Sequence, residues 1–295
     1  MNTSEPGSPV PGRVVVGVDS SPGGGRALRW AAHEAARQDR VLHIVHGADV
    51  TYADYIVGEA VRLITEAARV VLVDAAEEVG EYLPDLPVTT ALSQGPGYEA
   101  VLEASEPNDL AVVGSRGRGG FAGLLLGSVS LSVAARASCP VVVVRGSRED
   151  SAPAGEVVAG LRDEQDIPAV RFAAGIARCH RAGLRIVRVW RLFDQAGASI
   201  PMFDEMAATR EAEAKAFAGL VDRVRREFPG LPVTDEFVEG SSPAGTLVHA
   251  AARAGLLVVG ARRPHSRVGL RIGRVTHAVL HHADCPVVVV PRPAG

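Results

Sequence analysis

Residues 110–144 read LAVVGSRGRGGFAGLLLGSVSLSVAARASCPVVVV, and the fold follows from how this stretch is punctuated. Leu110 to Val113 has the length and composition of a strand buried on both faces, and it ends in a turn holding Gly114, Gly117, Gly119 and Gly120. Further on come Gly127 and Ser128, and from Ser128 to Ala137 the spacing of Val129, Leu131, Val133 and Ala134 predicts a helix. The first N–H groups of such a helix have no partner inside it. Glycine admits positive φ and lets a ligand approach the backbone without a Cβ in the way, so successive N–H groups can converge on an anion. A helix N-terminus adds partial positive charge, and Ser128 and Ser130 add hydroxyls. The stretch predicts a phosphate cradle between a strand and a helix. It is not a P-loop, because no Lys-Ser or Lys-Thr follows a glycine, and the G-x-G-x-x-G dinucleotide fingerprint is missing after the first strand.

The same stretch recurs. LAVVGSRGRGGFAGLLLGSVSLSVAARASCPVVVVR from Leu110 aligns without a gap to LLVVGARRPHSRVGLRIGRVTHAVLHHADCPVVVVP from Leu256, an offset of 146 residues that carries Gly114 to Gly260 and Cys139 to Cys285. Two tandem copies of one fold follow: a tail at 1–12, a first domain at 13–146, a linker at 147–155 and a second domain at 156–291.

In copy one, Arg13 to Asp19 predicts a strand without alternation, and Ser20, Ser21 and Pro22 supply the cap and first turn of a helix to about Arg37, weakened by glycines at 23–25. Val41–His46, Val88–Leu92, Leu110–Val113 and Pro140–Val144 predict further strands. Tyr55–Leu83, Tyr98–Ser105 and Ser128–Ala137 predict helices, the first from Val57, Val61, Ile64, Ala68, Val71, Ala75 and Val79. Copy two repeats the pattern, with helices expected at Arg171–Arg181, Met202–Arg226, Ala244–Ala254 and Val275–His282. Such alternation implies an α/β fold with right-handed crossovers and a parallel sheet covered on both sides. Ligands bind such sheets beyond the strand carboxyl ends where the winding reverses.

The 295 residues carry a net charge of -3, with 47% hydrophobic and 22% charged residues, which fits a globular chain and points to neither nucleic acid nor membrane. Residues 1–147 hold 11 Arg against 17 Asp and Glu, and the second half is mildly basic, its arginines spread as on solvated faces. The N-terminus lacks the features of a signal peptide, and no run reaches the length of a membrane span. Cys139, Cys179 and Cys285, an odd set, read as buried thiols in a reducing compartment, and the cytoplasm is the expected location.

The series Gly114, two residues, Gly117, nine residues, Gly127, Ser128 resembles the G-x2-G-x9-G-[S/T] signature of nucleotide-binding members of the universal stress protein superfamily. LLLGSV, VVGSRG and the Cys-Pro before four valines resemble that family too. The resemblance implies Rossmann-like, adenine nucleotide alpha hydrolase-like domains with strand order 3-2-1-4-5, which sets strands one and four side by side. It implies ATP as ligand, with Mg2+ as a possible companion. Asp19 would sit near the nucleotide with Gly17 and Val18 beside it, and Gly47 where backbone meets adenine. Val113 and Gly114 would flank the sugar, and Ser115, Arg116, Gly117 and Gly127, Ser128, Val129 and Ser130 would hold phosphates. Asp19 also reads as a turn or cap residue. The family pairs fifth strands in dimers, so the valine strands at 141–144 and 287–290 are expected to pair with each other, with further homodimerisation and a regulatory protein partner.

Copy two departs from the signature: Arg162 replaces the aspartate, Arg263 the second glycine and Arg274 the serine. Either this copy is kept for its packing, or its arginines hold a different anion. No catalytic residue or metal ligand is assigned. His277 and His281 lack a third ligand, and His43 and His46 fall on opposite faces of a strand. The functions left open are an ATP-holding regulatory module, a slow ATP hydrolase and a scaffold without nucleotide.

Overall fold

The computed structural model describes residues 12–50, 58–117, 126–145, 155–191, 203–261 and 272–292. The first domain runs β1 (Val14–Gly17), α1 (Pro22–Arg37), β2 (Leu42–Gly47), α2 (Gly58–Tyr82), β3 (Val88–Ser93), α3 (Gly97–Ala104), β4 (Leu110–Gly114), α4 (Ser128–Arg136) and β5 (Val141–Val144). The second runs β6 (Val157–Gly160), α5 (Ile167–His180), β7 (Leu184–Trp190), α6 (Phe203–Glu227), β8 (Val233–Glu239), α7 (Pro243–Ala250), β9 (Leu256–Ala261), α8 (Arg274–His282) and β10 (Val287–Pro291). Both domains thus alternate strands and helices in the expected α/β pattern. The expected starts of the long helices at Tyr55 and Met202 lie outside the described residues.

One helix begins earlier than its periodicity suggests. α5 starts at Ile167 and not Arg171, because Asp163 accepts the N–H of Gln165 (2.9 Å) and opens a 3-10 turn at Glu164–Asp166, and Pro168 suits a first helical turn. α7 ends at Ala250, short of Ala254.

The ten strands form one sheet in the order β3-β2-β1-β4-β5-β10-β9-β6-β7-β8. Within each domain neighbours are parallel, in the 3-2-1-4-5 order. The two halves join where β5 and β10 pair antiparallel, Val142 opposite Val288. The valine strands are therefore central, and the sheet's outer strands are β3 and β8. Because the seam is antiparallel, strand carboxyl ends in the two domains face opposite ends of the molecule.

Alternation along the strands splits the core into two layers, and each runs through both domains. Val14, Val16, Val142, Val144, Val288 and Val290 face α1, α2, α5 and α6, whereas Val15, Val141, Val143, Val287 and Val289 face α3, α4, α7 and α8. All eight valines of β5 and β10 at 141–144 and 287–290 are buried, and full burial of such a side chain contributes about 1.5–3 kcal/mol.

Two polar clasps flank the seam. Glu34 on α1, fully buried, accepts from Gln38 Nε2 and lies 2.7 Å from Nε2 of His180 on α5. Arg145, just after β5, donates to the carbonyls of Leu280, His281 and Ala283 (2.9 Å for the last), closing the end of α8. A cation there meets the negative end of the helix dipole.

Cys139 and Cys285 are buried, as expected, and burial pushes the Cys139 thiol up. Cys179 corrects the reading of three buried thiols: it is exposed on α5, where the apolar spacing turns Ala173, Ala174, Ile176 and Ala177 inward instead. Among the described residues no helix is long and apolar enough to cross a membrane.

If the seam is cooperative, Val142→Ala and Val288→Ala each lower stability by about 2 kcal/mol. The double variant departs from additivity by about 0.5 kcal/mol or more, because the two side chains face one another across the seam. Urea unfolding of the four chains measures this, and additive losses would show that the two side chains do not couple across the seam.

Candidate functional site

The carboxyl ends of β1 and β4 lie side by side, and the winding turns in opposite directions from them. Beyond β1, Asp19 Oδ1 accepts the N–H (3.1 Å) and the hydroxyl of Ser21, and Ser21 Oγ accepts the N–H of Gly24 at 3.0 Å. Asp19 therefore does make the turn ahead of α1, with Ser21 as its cap. Its other oxygen faces the signature loop: a Cβ on Gly117 would stand 2.6 Å from Asp19 Oδ2.

The glycines of α1 have a reason that helix propensity does not reveal. A Cβ on Gly23 would stand 2.1 Å from the Arg116 carbonyl oxygen, and one on Gly24 2.5 Å from Asp19 Oδ1. Gly114 is held in turn, since its Cβ would meet the Gly23 carbonyl oxygen at 2.5 Å. Bare backbone on both sides lets the head of α1 press against the β4 loop, bringing Asp19, Gly114, Arg116 and Gly117 together.

The rest of the predicted cradle is partly committed to its own architecture. Ser115 N–H donates to Val144 O (2.9 Å), Gly127 N–H to Ser115 O (2.8 Å), and Ser130 Oγ to Gly114 O (2.6 Å). The first continues the β4–β5 pairing, and the other two fasten the head of α4 to the end of β4. The N–H groups of Ser128, Val129 and Ser130 lead the helix, and Gly127 offers no side-chain cap. Val129 is 37% exposed beside them. Val113 is buried at the end of β4. Gly47 lies against the β3–α3 turn, where a Cβ would meet Gly95 O at 2.6 Å. Gly17 ends β1, and the Val18 carbonyl accepts from buried His46 Nδ1 at 2.7 Å. His46 is a member of this neighbourhood that the sequence reading set aside. Opposite-face placement holds, since His43 bonds Thr89 Oγ1 instead (2.8 Å), and burial with the Arg13 charge lowers its pKa. Arg118, Gly119 and Gly120 lie outside the described residues.

This geometry is found in a chain whose sequence matches one family twice. A family model described as the universal stress protein family matches residues 12–145 and again 156–291. The chain belongs to the universal stress protein family. It is 32% identical over 296 residues to a universal stress protein of Mycobacterium tuberculosis, covering 94% of this chain and 96% of that one. A universal stress protein of Mycolicibacterium smegmatis is 31% identical over 292 residues, covering 95% and 97%. Among solved structures, a universal stress protein from Archaeoglobus fulgidus superposes with a TM-score of 0.75 at 17% identity, over 95% of this chain and 98% of the other, which shows a shared fold.

The second domain of this stress protein diverges at the matching place. Arg162 pairs with Asp163 (Nε to Oδ2, 2.8 Å) at an exposed site. Asp166 takes the space over Gly260, where a Cβ would stand 2.2 Å from its Oδ1. Asp166 is itself held by Arg292, whose Nε donates to Oδ1 at 3.1 Å, and by the N–H of Arg162 at 3.0 Å. Thr276 Oγ1 donates to Gly260 O (3.3 Å), repeating the Ser130 bond. A cleft of about 300 Å³ opens here, with Arg162, Arg191, Arg274 and Arg292 on its wall. Arg263 lies outside the described residues. Sequence reasoning missed Arg292, because it follows the last strand and nothing in the repeat marks it.

His277 and His281 stack at 4.4 Å on α8, and among the described residues no group of three or more His, Cys, Asp or Glu is placed for a metal. The carbonyls at the end of α8 are closed by Arg145, and burial together with the His277 charge lowers the His281 pKa.

Replacing Gly23 by Ala gains about 1 kcal/mol of helix propensity but forces a backbone contact of 2.1 Å, so a net loss of about 1–2 kcal/mol is expected. At Gly25 the nearest atom is the flexible end of Arg29 at 3.5 Å, so Gly25→Ala gains about 0.5–1 kcal/mol. Thermal melts of the two variants should move in opposite directions. A stabilised Gly23→Ala chain would show that α1 does not press on the loop.

Proposed function

We propose that the first domain is an ATP-holding regulatory module of the stress protein, reporting energy or stress state through its shape or its contacts with a protein partner. The observation that carries this reading is the convergence of Asp19, Gly114 and Gly117 on the uncapped head of α4, at distances that leave no room for a Cβ at either glycine. Gly17, Val18 and Gly47 would back the adenosine and Val113 the sugar. The N–H groups of Ser128, Val129 and Ser130, with the Arg116 side chain and the N–H groups of Arg116 and Gly117, would meet the phosphates, where a helix N-terminus favours anions, while the Ser115 backbone stays bonded to Val144 and Gly127. Asp19 would also face any Mg2+ that accompanies the phosphates. The cytoplasm is the proposed setting, and homodimerisation would use surfaces other than the valine strands, which pair within the chain.

Isothermal titration of ATP, with and without Mg2+, tests the reading on the wild-type chain and on Gly117→Arg, which imitates the second domain. One ATP per chain is expected, weakened about 100-fold or more in the variant, whose side chain would start 2.6 Å from Asp19 Oδ2. Steady ADP release that depends on Asp19 would turn the reading toward a slow hydrolase. No binding by the wild type would leave the scaffold reading in front.

A further inference from the structure

The cleft of the second domain is built from residues that the repeat does not share. Four arginines, Arg162, Arg191, Arg274 and Arg292, line it together with Asp166, and Asp163 beside it pairs with Arg162 and lies 3.7 Å from Arg292 Nη2. Arg292 is 9% exposed and fixed in place by Asp166 on one side and Gln165 Oε1 (2.8 Å) on the other. A guanidinium carries five donors, and these bonds use three of them, so a buried and oriented cation retains N–H groups beyond its own pair. Arg162 and Arg274 are exposed on the same cleft. Arg274 is the first residue of α8, whose N-cap Gly273 has no side-chain cap. The positive end of that helix therefore adds to the arginines.

The cleft also lacks what a nucleoside needs. Gly17 is paired with Val45 and Gly160 with Val187, so Val189 stands where Gly47 stands in the first domain. Its side chain lines the cleft and leans on the turn before α7, 3.3 Å from where a Cβ on Gly240 would lie. Val187, Leu247 and Val259 complete an apolar back wall whose side chains offer a base edge no hydrogen bond. At about 300 Å³ the cleft is at the small end of ligand sites. Arginine forks match phosphate oxygens two at a time, and four guanidinium groups beside Asp163 and Asp166 outnumber those two carboxylates.

We infer that the second domain's cleft takes a compact, multiply charged phosphate, an inorganic or small organic diphosphate, held by Arg162, Arg274 and Arg292, and that it excludes adenine nucleotides. This goes beyond the reading of the first domain and does not depend on it.

Titration of inorganic pyrophosphate into the full chain tests the inference, with wild type, Gly117→Arg, and Arg162→Gln/Arg274→Gln compared. About one pyrophosphate per chain is expected in the first two. In the double variant, whose substituted side chains are exposed, binding falls at least tenfold with the melting temperature unchanged. Arg274→Gln alone, with a smaller loss, serves if the double variant melts early. ATP added to the Gly117→Arg chain leaves bound pyrophosphate in place. The inference is overturned by any of four results: no pyrophosphate bound by the wild type, binding lost in Gly117→Arg, binding retained without the two arginines, or displacement by ATP. Loss of ATP binding in the first domain alters none of these outcomes, so the two readings fail separately.

Discussion

The pairing of β5 with β10 is the contact on which the molecule depends. Either strand left at an edge would present an open row of backbone groups with apolar side chains on both faces, a surface prone to pair with whatever strand comes near. Closing one on the other buries both and turns two five-stranded sheets into one of ten. Both core layers cross the join, so neither half has a hydrophobic interior that ends at the domain boundary. The same pairing fixes where the sites lie. Its antiparallel sense turns the strand carboxyl ends of the two domains away from each other, and the loops that bear the candidate sites go with them.

Within each half, the site depends on how closely a helix can approach a strand end. The first domain solves this with missing side chains: Gly23, Gly24 and Gly114 let backbone touch backbone, and Asp19 fills the gap as a turn former facing Gly117. The second solves it with a side-chain plug, Asp166 over Gly260, neutralised by Arg292. A buried carboxylate without that guanidinium would carry a large desolvation cost, so the two residues belong together. The different solutions leave different surfaces, one rich in backbone N–H groups and the other in guanidinium groups.

The strands were legible because burial on both faces writes itself as uninterrupted Val and Leu, and because the repeat exposes corresponding positions, whereas their order and the pairing of the valine runs followed from the family resemblance. Asp19, Gly114 and Gly117 were legible as a group through the resemblance, whose strand order sets the ends of strands one and four side by side. Less was legible where a contact joins residues far apart with no periodic signal. Arg292 meets Asp166 across 126 residues, and Glu34 meets His180 across 146. The use of α1 glycines was hidden too, since propensity sees only the cost of glycine in a helix and not the carbonyl of Arg116 against it. Hydrogen-bond commitments of Ser115, Gly127 and Ser130 are likewise fixed by tertiary geometry, which spacing does not encode.

The clasps at the seam run in one direction. Glu34 of the first half reaches His180 of the second, but counted back from the strand that follows each helix, the place matching Glu34 is Ile176, an apolar residue. Arg145 closes α8, and the residue matching it at the repeat offset is Pro291, which has no group with which to close α4 in return. In a symmetric pair of identical subunits every contact is made twice and each surface must fit itself. Joined in one chain, the two halves are released from that demand, and their interface has become a plug and socket: each half fits the other better than it would fit a copy of itself.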